Sequence, residues 1–83
     1  MEMINGASLF SSAGIAELYL KDCGIDIKVA SELLQKRCDL HNFLYPNCQM
    51  FRGDITNKDI FNSVNEKIHQ ENCKFLLATP PCQ

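Results

Sequence analysis

The sequence predicts an α/β domain in which about four parallel strands, in the order 3-2-1-4, carry helices on both faces. Short apolar segments alternate with longer segments in which apolar residues recur at helical spacing. The connections between these segments are short, and strand–helix alternation with short connections favours a parallel sheet with right-handed crossovers. In such a sheet a crevice opens beyond the carboxyl ends of strands one and four.

The first strand and the first helix are predicted from the start of the chain. Residues 4–10 are short and apolar and end in a Ser-Ser-Ala-Gly turn, which is typical of a buried strand. Residues 14–22 carry Ile15, Leu18 and Tyr19 at i, i+3 and i+4, which predicts a helix with that apolar stripe.

The second strand and helix follow directly. Residues 25–29 alternate apolar and polar side chains, which predicts strand two. Ser31 is a suitable N-cap for a second helix, whose apolar stripe includes Cys38 and His41. We expect this helix to end before Pro46.

The remaining strands and the third helix complete the pattern. Residues 48–52 predict strand three, and the apolar residues 73–78 predict strand four. Between them Thr56 and Asp59 resemble a capping box for a third helix, and Val64 lies on the apolar stripe of that helix.

Composition indicates one small domain, or one piece of a domain. The 83 residues are 46% hydrophobic and 22% charged, which are globular values. No apolar run approaches the ~20 residues that cross a bilayer, and no signal-peptide pattern is present, so we expect a cytoplasmic protein with no membrane partner. The net charge of −2 disfavours a protein that binds duplex nucleic acid unaided.

Five cysteines raise the question of disulfides or zinc. No C-x-x-C occurs, and no cysteine–histidine pair has finger spacing, so we expect reduced thiols and no metal. A redox module built on these cysteines is the remotest alternative class. The five are Cys23, Cys38, Cys48, Cys73 and Cys82.

Residues able to bind a nucleotide follow the first two predicted strands. The small-residue turn at 10–15 would let the backbone and a helix N-terminus approach a ligand, although an ordinary β–α turn looks the same. Glu32 lies 18 residues after Gly14, a spacing at which a carboxylate can accept both ribose hydroxyls. Glu32 could equally be an acid of the first helical turn.

Two further segments follow strands three and four. Asp54 could accept a hydrogen bond from an adenine amino group while Ile55 packs on the ring, or Asp54 could simply cap the next helix. Pro80 and Pro81 form a stiff turn that would hold the Cys82 thiol at the edge of the sheet, unless the cysteine is accidental in a proline-rich terminus.

Taken in order, the four segments resemble the DNA cytosine-5 methyltransferase family. Residues 8–15 (Ser-Leu-Phe-Ser-Ser-Ala-Gly-Ile) are similar to its first motif, usually Asp-Leu-Phe-x-Gly-x-Gly-Gly. Residues 30–33 (Ala-Ser-Glu-Leu) look like the second motif, residues 53–56 (Gly-Asp-Ile-Thr) the third, and residues 81–83 (Pro-Cys-Gln) the fourth. The resemblance spans residues 7–83 at the expected spacings.

The first motif departs from the family pattern at three positions. Ser8 replaces the usual aspartate, and Ser12 and Ile15 replace glycines. Ala13 and Gly14 keep the part of the turn nearest the methionine moiety of the cofactor. Because this variant is similar to one branch of the family, the site is expected to be retained.

The resemblance implies a partial Rossmann-like fold that uses S-adenosylmethionine. Glu32 would bind the ribose of this cofactor, Leu33 would pack on the adenine, and Asp54 and Ile55 would flank it. Cys82 would attack carbon 6 of a flipped-out cytosine as the thiolate, which makes carbon 5 nucleophilic toward the donor methyl group. The full set of implied cofactor-binding residues is Phe10, Ser11, Ala13, Gly14, Ile15, Glu32, Leu33, Asp54, Ile55 and Pro80.

The resemblance also implies what lies outside the chain. Residues 1–83 would be the N-terminal part of the catalytic domain, without the target-recognition region and the C-terminal motifs. The expected partners are DNA and the remainder of the enzyme as a second chain or fragment, in a bacterial restriction-modification or similar DNA methylation system. Alone, the chain is expected to be inactive and to bind the cofactor weakly. The alternative is a truncated, non-catalytic fragment that binds S-adenosylmethionine or another protein.

Overall fold

Seven helices and strands alternate along the part of the chain that the structure describes. The computed structural model describes residues 3–10 and 14–78, without the side chains of Ile15 and Ala16. None of the helices within these ranges is long and apolar enough to span a membrane. The elements, in chain order, are β1 Ile4–Leu9, α1 Ile15–Asp22, β2 Ile25–Glu32, α2 Gln35–Leu44, β3 Gln49–Arg52, α3 Lys58–Gln70 and β4 Phe75–Ala78.

The four strands form one parallel sheet in the order β3-β2-β1-β4, which confirms the predicted fold class. At the carboxyl end of the sheet Leu9 pairs with both Ser31 of β2 and Ala78 of β4. One position further along β2, Glu32 pairs with Arg52 of β3. The loops that follow β1, β2 and β3 therefore leave the sheet at the same edge.

The sheet has a small apolar core on each face. Consecutive residues Val29 and Ala30 of β2 are both fully buried, and they point to opposite faces because side chains alternate along a strand. The face toward α3 is built on Ala7, Val29 and Val64. The opposite face, toward α1 and the end of α2, is built on Ile27, Ala30 and Cys48, with Leu20 and Tyr45 packed against them. Helices on both faces were predicted and are observed.

The predicted Ser31 cap is wrong. β2 continues to Glu32, and α2 begins only at Gln35. The reason is tertiary, since Ser31 and Glu32 pair with Phe51 and Arg52 of β3 and their backbone is held in the sheet.

The predicted capping box at Thr56 is also wrong. The N-cap of α3 is Asn57, whose side-chain oxygen accepts from the amides of Asp59 at 2.9 Å and Ile60 at 3.3 Å. Thr56 instead donates to the preceding Asp54, which forms a turn before the helix.

The predicted apolar stripe of α1 is wrong where the structure describes it. Leu18 and Tyr19 are 53% and 71% exposed, whereas Glu17 is only 3% exposed. The side of α1 that faces the rest of the domain therefore carries the Glu17 carboxylate.

Candidate functional site

The carboxyl edge of the sheet contains those predicted site residues that the structure describes. Phe10 follows β1, Glu32 ends β2, and Asp54 and Ile55 follow β3. Gly14 precedes α1, and Leu33 follows Glu32. Ser11, Ala13, Pro80 and Cys82 lie outside the described residues, as does the side chain of Ile15.

Two residues around the first turn have left-handed backbone conformations. Gly14 has φ 81° and ψ 26° and is the N-cap of α1, and Phe10 has φ 58° directly after β1. A positive φ costs little at glycine, whereas at phenylalanine it is uncommon and indicates that the surrounding structure imposes it. No sequence signal predicted the conformation of Phe10.

Gly14 is enclosed by side chains from α1 and α2. The Tyr45 hydroxyl donates to the Gly14 carbonyl oxygen, which also accepts from the Glu17 amide at 3.2 Å. A Cβ atom at Gly14 would lie 2.6 Å from a ring carbon of Tyr45, 2.7 Å from the Glu17 carboxylate and 2.8 Å from the His41 ring. Such distances are shorter than van der Waals contact, so only glycine fits here.

A buried carboxylate–imidazole pair supports this enclosure. Glu17 Oε2 lies 2.6 Å from His41 Nε2, and the two side chains are 2% and 0% exposed. The His41 ring also contacts the Tyr45 ring, with their centroids 4.7 Å apart.

The buried surroundings of the Glu17–His41 pair leave part of its hydrogen-bonding capacity unused among the described residues. Glu17 Oε1 and His41 Nδ1 are buried and have no hydrogen-bond partner within the described part of the chain. Burial, with the nearby Glu17 carboxylate, raises the pKa of the Tyr45 phenol, which keeps its hydroxyl protonated as a donor to Gly14. The sequence placed His41 on the inner stripe of α2 but gave no indication of its pairing with Glu17.

Glu32 is fixed by contacts from both neighbouring elements. Its carboxylate accepts from the Leu34 amide at 2.9 Å, and the residue is only 7% exposed. Its carbonyl oxygen accepts from the Gly53 amide at 3.0 Å and from the Cys38 thiol at 3.4 Å. The predicted position of Glu32 at the end of strand two is confirmed, and Leu33 beside it is 56% exposed.

Asp54 is an exposed acceptor beside this position. The Oδ1 atom of Asp54 accepts two hydrogen bonds from Thr56, one from the hydroxyl at 2.7 Å and one from the backbone amide at 2.9 Å. Both hydrogen bonds lower the pKa of the Asp54 carboxyl group. Ile55 is half-buried and packs against the core on the α3 side of the sheet. The predicted contacts of both residues with adenine stay predictions.

Ser8 occupies the first position of the first motif, residues 8–15, where the usual residue is aspartate. It is 1% exposed, and its hydroxyl oxygen has no hydrogen-bond partner in the ranges that the structure describes. The replacement therefore leaves a buried polar atom directly before the turn.

The described cysteines are free thiols. Cys38 and Cys48 are buried, Cys73 is half-buried and Cys23 is exposed. Across residues 3–10 and 14–78 no group of three or more histidine, cysteine or acidic side chains could hold a metal ion.

The hydrogen-bond acceptors and the apolar surface at this edge suit an adenosyl group. Glu32 offers a fixed carboxylate for hydroxyl donors, and Asp54 offers an exposed one for an amino group. The exposed Leu33 lies between them in sequence and offers an apolar surface for a flat ring. Such a combination of fixed polar groups and apolar contacts is typical of nucleotide sites beyond the carboxyl ends of parallel strands.

Comparisons with known proteins all find a methylase or methyltransferase. The family model for C-5 cytosine-specific DNA methylase matches residues 4–83. A curated relative, the type II methyltransferase M1.HgaI of Avibacterium volantium, is 52% identical over 80 residues, which are 96% of this chain and 22% of the relative. A crystal structure assigned to a prophage-encoded DNA modification methyltransferase of E. coli superposes with a TM-score of 0.78 at 26% identity, over 96% of this chain and 23% of that one. The chain thus spans about a fifth of the length of these two proteins.

Proposed function

Because this chain belongs to the C-5 cytosine-specific DNA methylase family, we propose that it forms the S-adenosylmethionine-binding and nucleophile-bearing part of a DNA cytosine-5 methyltransferase. The observation that carries the proposal is the meeting of the Gly14 turn, Glu32 and Asp54 at one edge of a parallel sheet. Cytoplasmic action on bacterial DNA, within restriction-modification or a similar system, belongs to the same proposal.

The residues along this edge would bind the cofactor in strand order. Glu32 accepts the ribose hydroxyls, with its carboxylate held in place by the Leu34 amide. Leu33 packs on the adenine, while Asp54 accepts from its amino group and Ile55 borders it. The turn with Phe10, Ser11, Ala13, Gly14 and Ile15 takes the methionine end, and Pro80 lines the pocket of the transferred methyl group.

Cys82 supplies the nucleophile in this proposal. Its thiolate forms a bond to carbon 6 of a cytosine turned out of the duplex, which places electron density on carbon 5. S-adenosylmethionine, when bound, supplies an electrophilic methyl group for carbon 5. Loss of the carbon 5 proton to a base then releases Cys82 and restores the aromatic ring. DNA recognition and the remaining catalytic groups come from outside residues 1–83.

A hybrid enzyme tests this function directly. Residues 4–83 of this chain replace the matching 80-residue segment of the Avibacterium methyltransferase, which supplies the rest of the protein and its target specificity. We expect the hybrid to transfer radiolabelled methyl groups to DNA and to form a covalent adduct with DNA that contains 5-fluorocytosine. Cys82→Ser should abolish both.

The matched control is Cys23→Ser, at an exposed thiol remote from the edge of the sheet, which should leave both signals unchanged. A folded hybrid that binds S-adenosylmethionine but transfers no methyl group would favour the non-catalytic alternative. Adduct formation through a cysteine other than Cys82 would contradict the assignment of the nucleophile.

A further inference from the structure

We propose that Glu17, His41 and Tyr45 are positioning residues that fix Gly14, and with it the methionine end of the cofactor site, at a set distance from Glu32. This inference rests on the proposed function, because the relevance of the distance depends on S-adenosylmethionine binding at this edge. None of the three residues is among those that the sequence motifs assign to the site.

Three side chains converge on the single residue Gly14. Tyr45 binds the Gly14 carbonyl oxygen, and the Tyr45 ring, the Glu17 carboxylate and the His41 ring occupy the side of Gly14 where a Cβ would project. The Glu17–His41 hydrogen bond of 2.6 Å joins α1 to α2, and both residues are buried. The start of α1 is therefore held to α2 by polar contacts in addition to apolar packing.

α2 also contacts Glu32, at the ribose end of the proposed site. At the beginning of α2, the Leu34 amide donates to the Glu32 carboxylate and the Cys38 thiol donates to the Glu32 carbonyl oxygen. Near its end, His41 and Tyr45 contact the Gly14 region. α2 thus connects the two groups as a rigid spacer, since a helix keeps a fixed rise per residue.

The order of the strands indicates which part of the ligand depends on this spacer. If adenine lies beside Asp54 after β3 and ribose beside Glu32 after β2, the rest of the ligand extends over β1 toward Gly14. A shift of Gly14 relative to Glu32 should consequently weaken contacts with the methionine end and spare contacts with the adenosine end. Such a shift lowers the binding affinity because tight binding depends on preorganised contacts.

Tyr45→Phe is the decisive variant, since it removes one hydroxyl group and leaves the ring. The matched control is Tyr19→Phe, the same change at a residue of α1 that is 71% exposed. In the intact protein without ligand, amide hydrogen exchange at residues 14–18 should become about 3- to 10-fold faster with Tyr45→Phe. Tyr19→Phe should leave exchange unchanged.

The binding measurement separates positioning from general loss of structure. In the hybrid enzyme, calorimetry compares S-adenosylhomocysteine with 5′-methylthioadenosine, which lacks the amino-acid part. Tyr45→Phe should raise the dissociation constant of the first ligand about 3- to 10-fold and change that of the second less than twofold.

The binding measurement distinguishes failure of the positioning role from failure of the proposed function. Equal weakening of both ligands, or no weakening, would overturn the positioning role while the proposed function stands. If the unmodified hybrid binds neither ligand, the proposed function fails and this inference fails with it.

Discussion

Replacing His41 by leucine is expected to destabilise the domain far more than replacing both members of the Glu17–His41 pair. In the single variant the Glu17 carboxylate stays buried without a partner, because Oε1 already has none within the described residues and Oε2 loses the imidazole. Removing one member of a buried pair costs about 3–5 kcal/mol. At typical values per residue, folding of 83 residues contributes only about 4–12 kcal/mol of stability, so the loss is a large part of it.

The double variant should recover most of this loss. In Glu17→Leu/His41→Leu neither position leaves a buried polar group without its partner, and apolar residues that replace a buried pair are often neutral or better. Glu17→Leu alone leaves the His41 ring without its hydrogen-bond partner and should cost about 1–3 kcal/mol. The sum of the two single losses therefore exceeds the double loss, with a coupling free energy of at least about 3 kcal/mol.

Urea denaturation followed by far-ultraviolet circular dichroism measures the four proteins of this cycle. His69→Leu is the control, since His69 is exposed on α3, and it should shift the free energy of unfolding by less than about 0.5 kcal/mol. The reasoning would be refuted if His41→Leu behaved like His69→Leu, or if the double loss equalled the sum of the single losses.

Three further predictions concern single side chains. Burial raises the pKa of the Cys48 thiol from 9.0 to about 12, so its contribution to stability is complete below pH 9 and lost as pH rises toward 12. In that interval the unfolding free energy should fall by up to about 1.4 kcal/mol per pH unit more than in Cys48→Ala. Thr56→Val removes the hydroxyl hydrogen bond that lowers the pKa of Asp54, so NMR titration of that carboxyl should show a higher pKa. Asn57→Ala removes the cap of α3 and should cost about 1 kcal/mol in urea denaturation.

Each of these predictions has a conservative control. Cys23→Ala, at an exposed thiol, should keep the alkaline slope, whereas a slope in Cys48→Ala equal to that of the unmodified protein would contradict the assignment. Thr56→Ser retains the hydroxyl and should leave the carboxyl titration near that of the unmodified protein. Asn57→Asp retains an acceptor and should keep α3 stable, whereas equal losses in the alanine and aspartate variants would exclude capping as the cause.

The strand order could be predicted because local and tertiary preferences agree along this chain. Strands and helices alternate with short connections, and that pattern leaves few parallel topologies. The start of α2 was predicted too early because pairing of Ser31 and Glu32 with β3 keeps Ser31 in the sheet, where it cannot cap a helix. Pairing across a sheet is not visible in a local sequence pattern.

The candidate site was predictable only in part, for a similar reason. The positions of Glu32 and Asp54 at the carboxyl edge of the sheet could be predicted because these residues come at or just after the ends of strands. Glu17 was missed because an acid on a helix is ordinarily exposed, and its burial depends on His41, 24 positions away. The left-handed conformation of Phe10 has no sequence signature, since phenylalanine rarely adopts it.

The position of β1 in the middle of the sheet has a consequence for synthesis on the ribosome. β1 is made first, yet its partner on one side is β4, whose first residue, Phe75, pairs with Gly6. At about 5–20 residues per second, roughly 3–14 s pass between the synthesis of these two residues. Until then β1, one of the two inner strands of the described sheet, has an open edge to which chaperones or other nascent chains can bind. Slower translation between residues 32 and 75 would prolong that exposure without changing any residue of the folded protein.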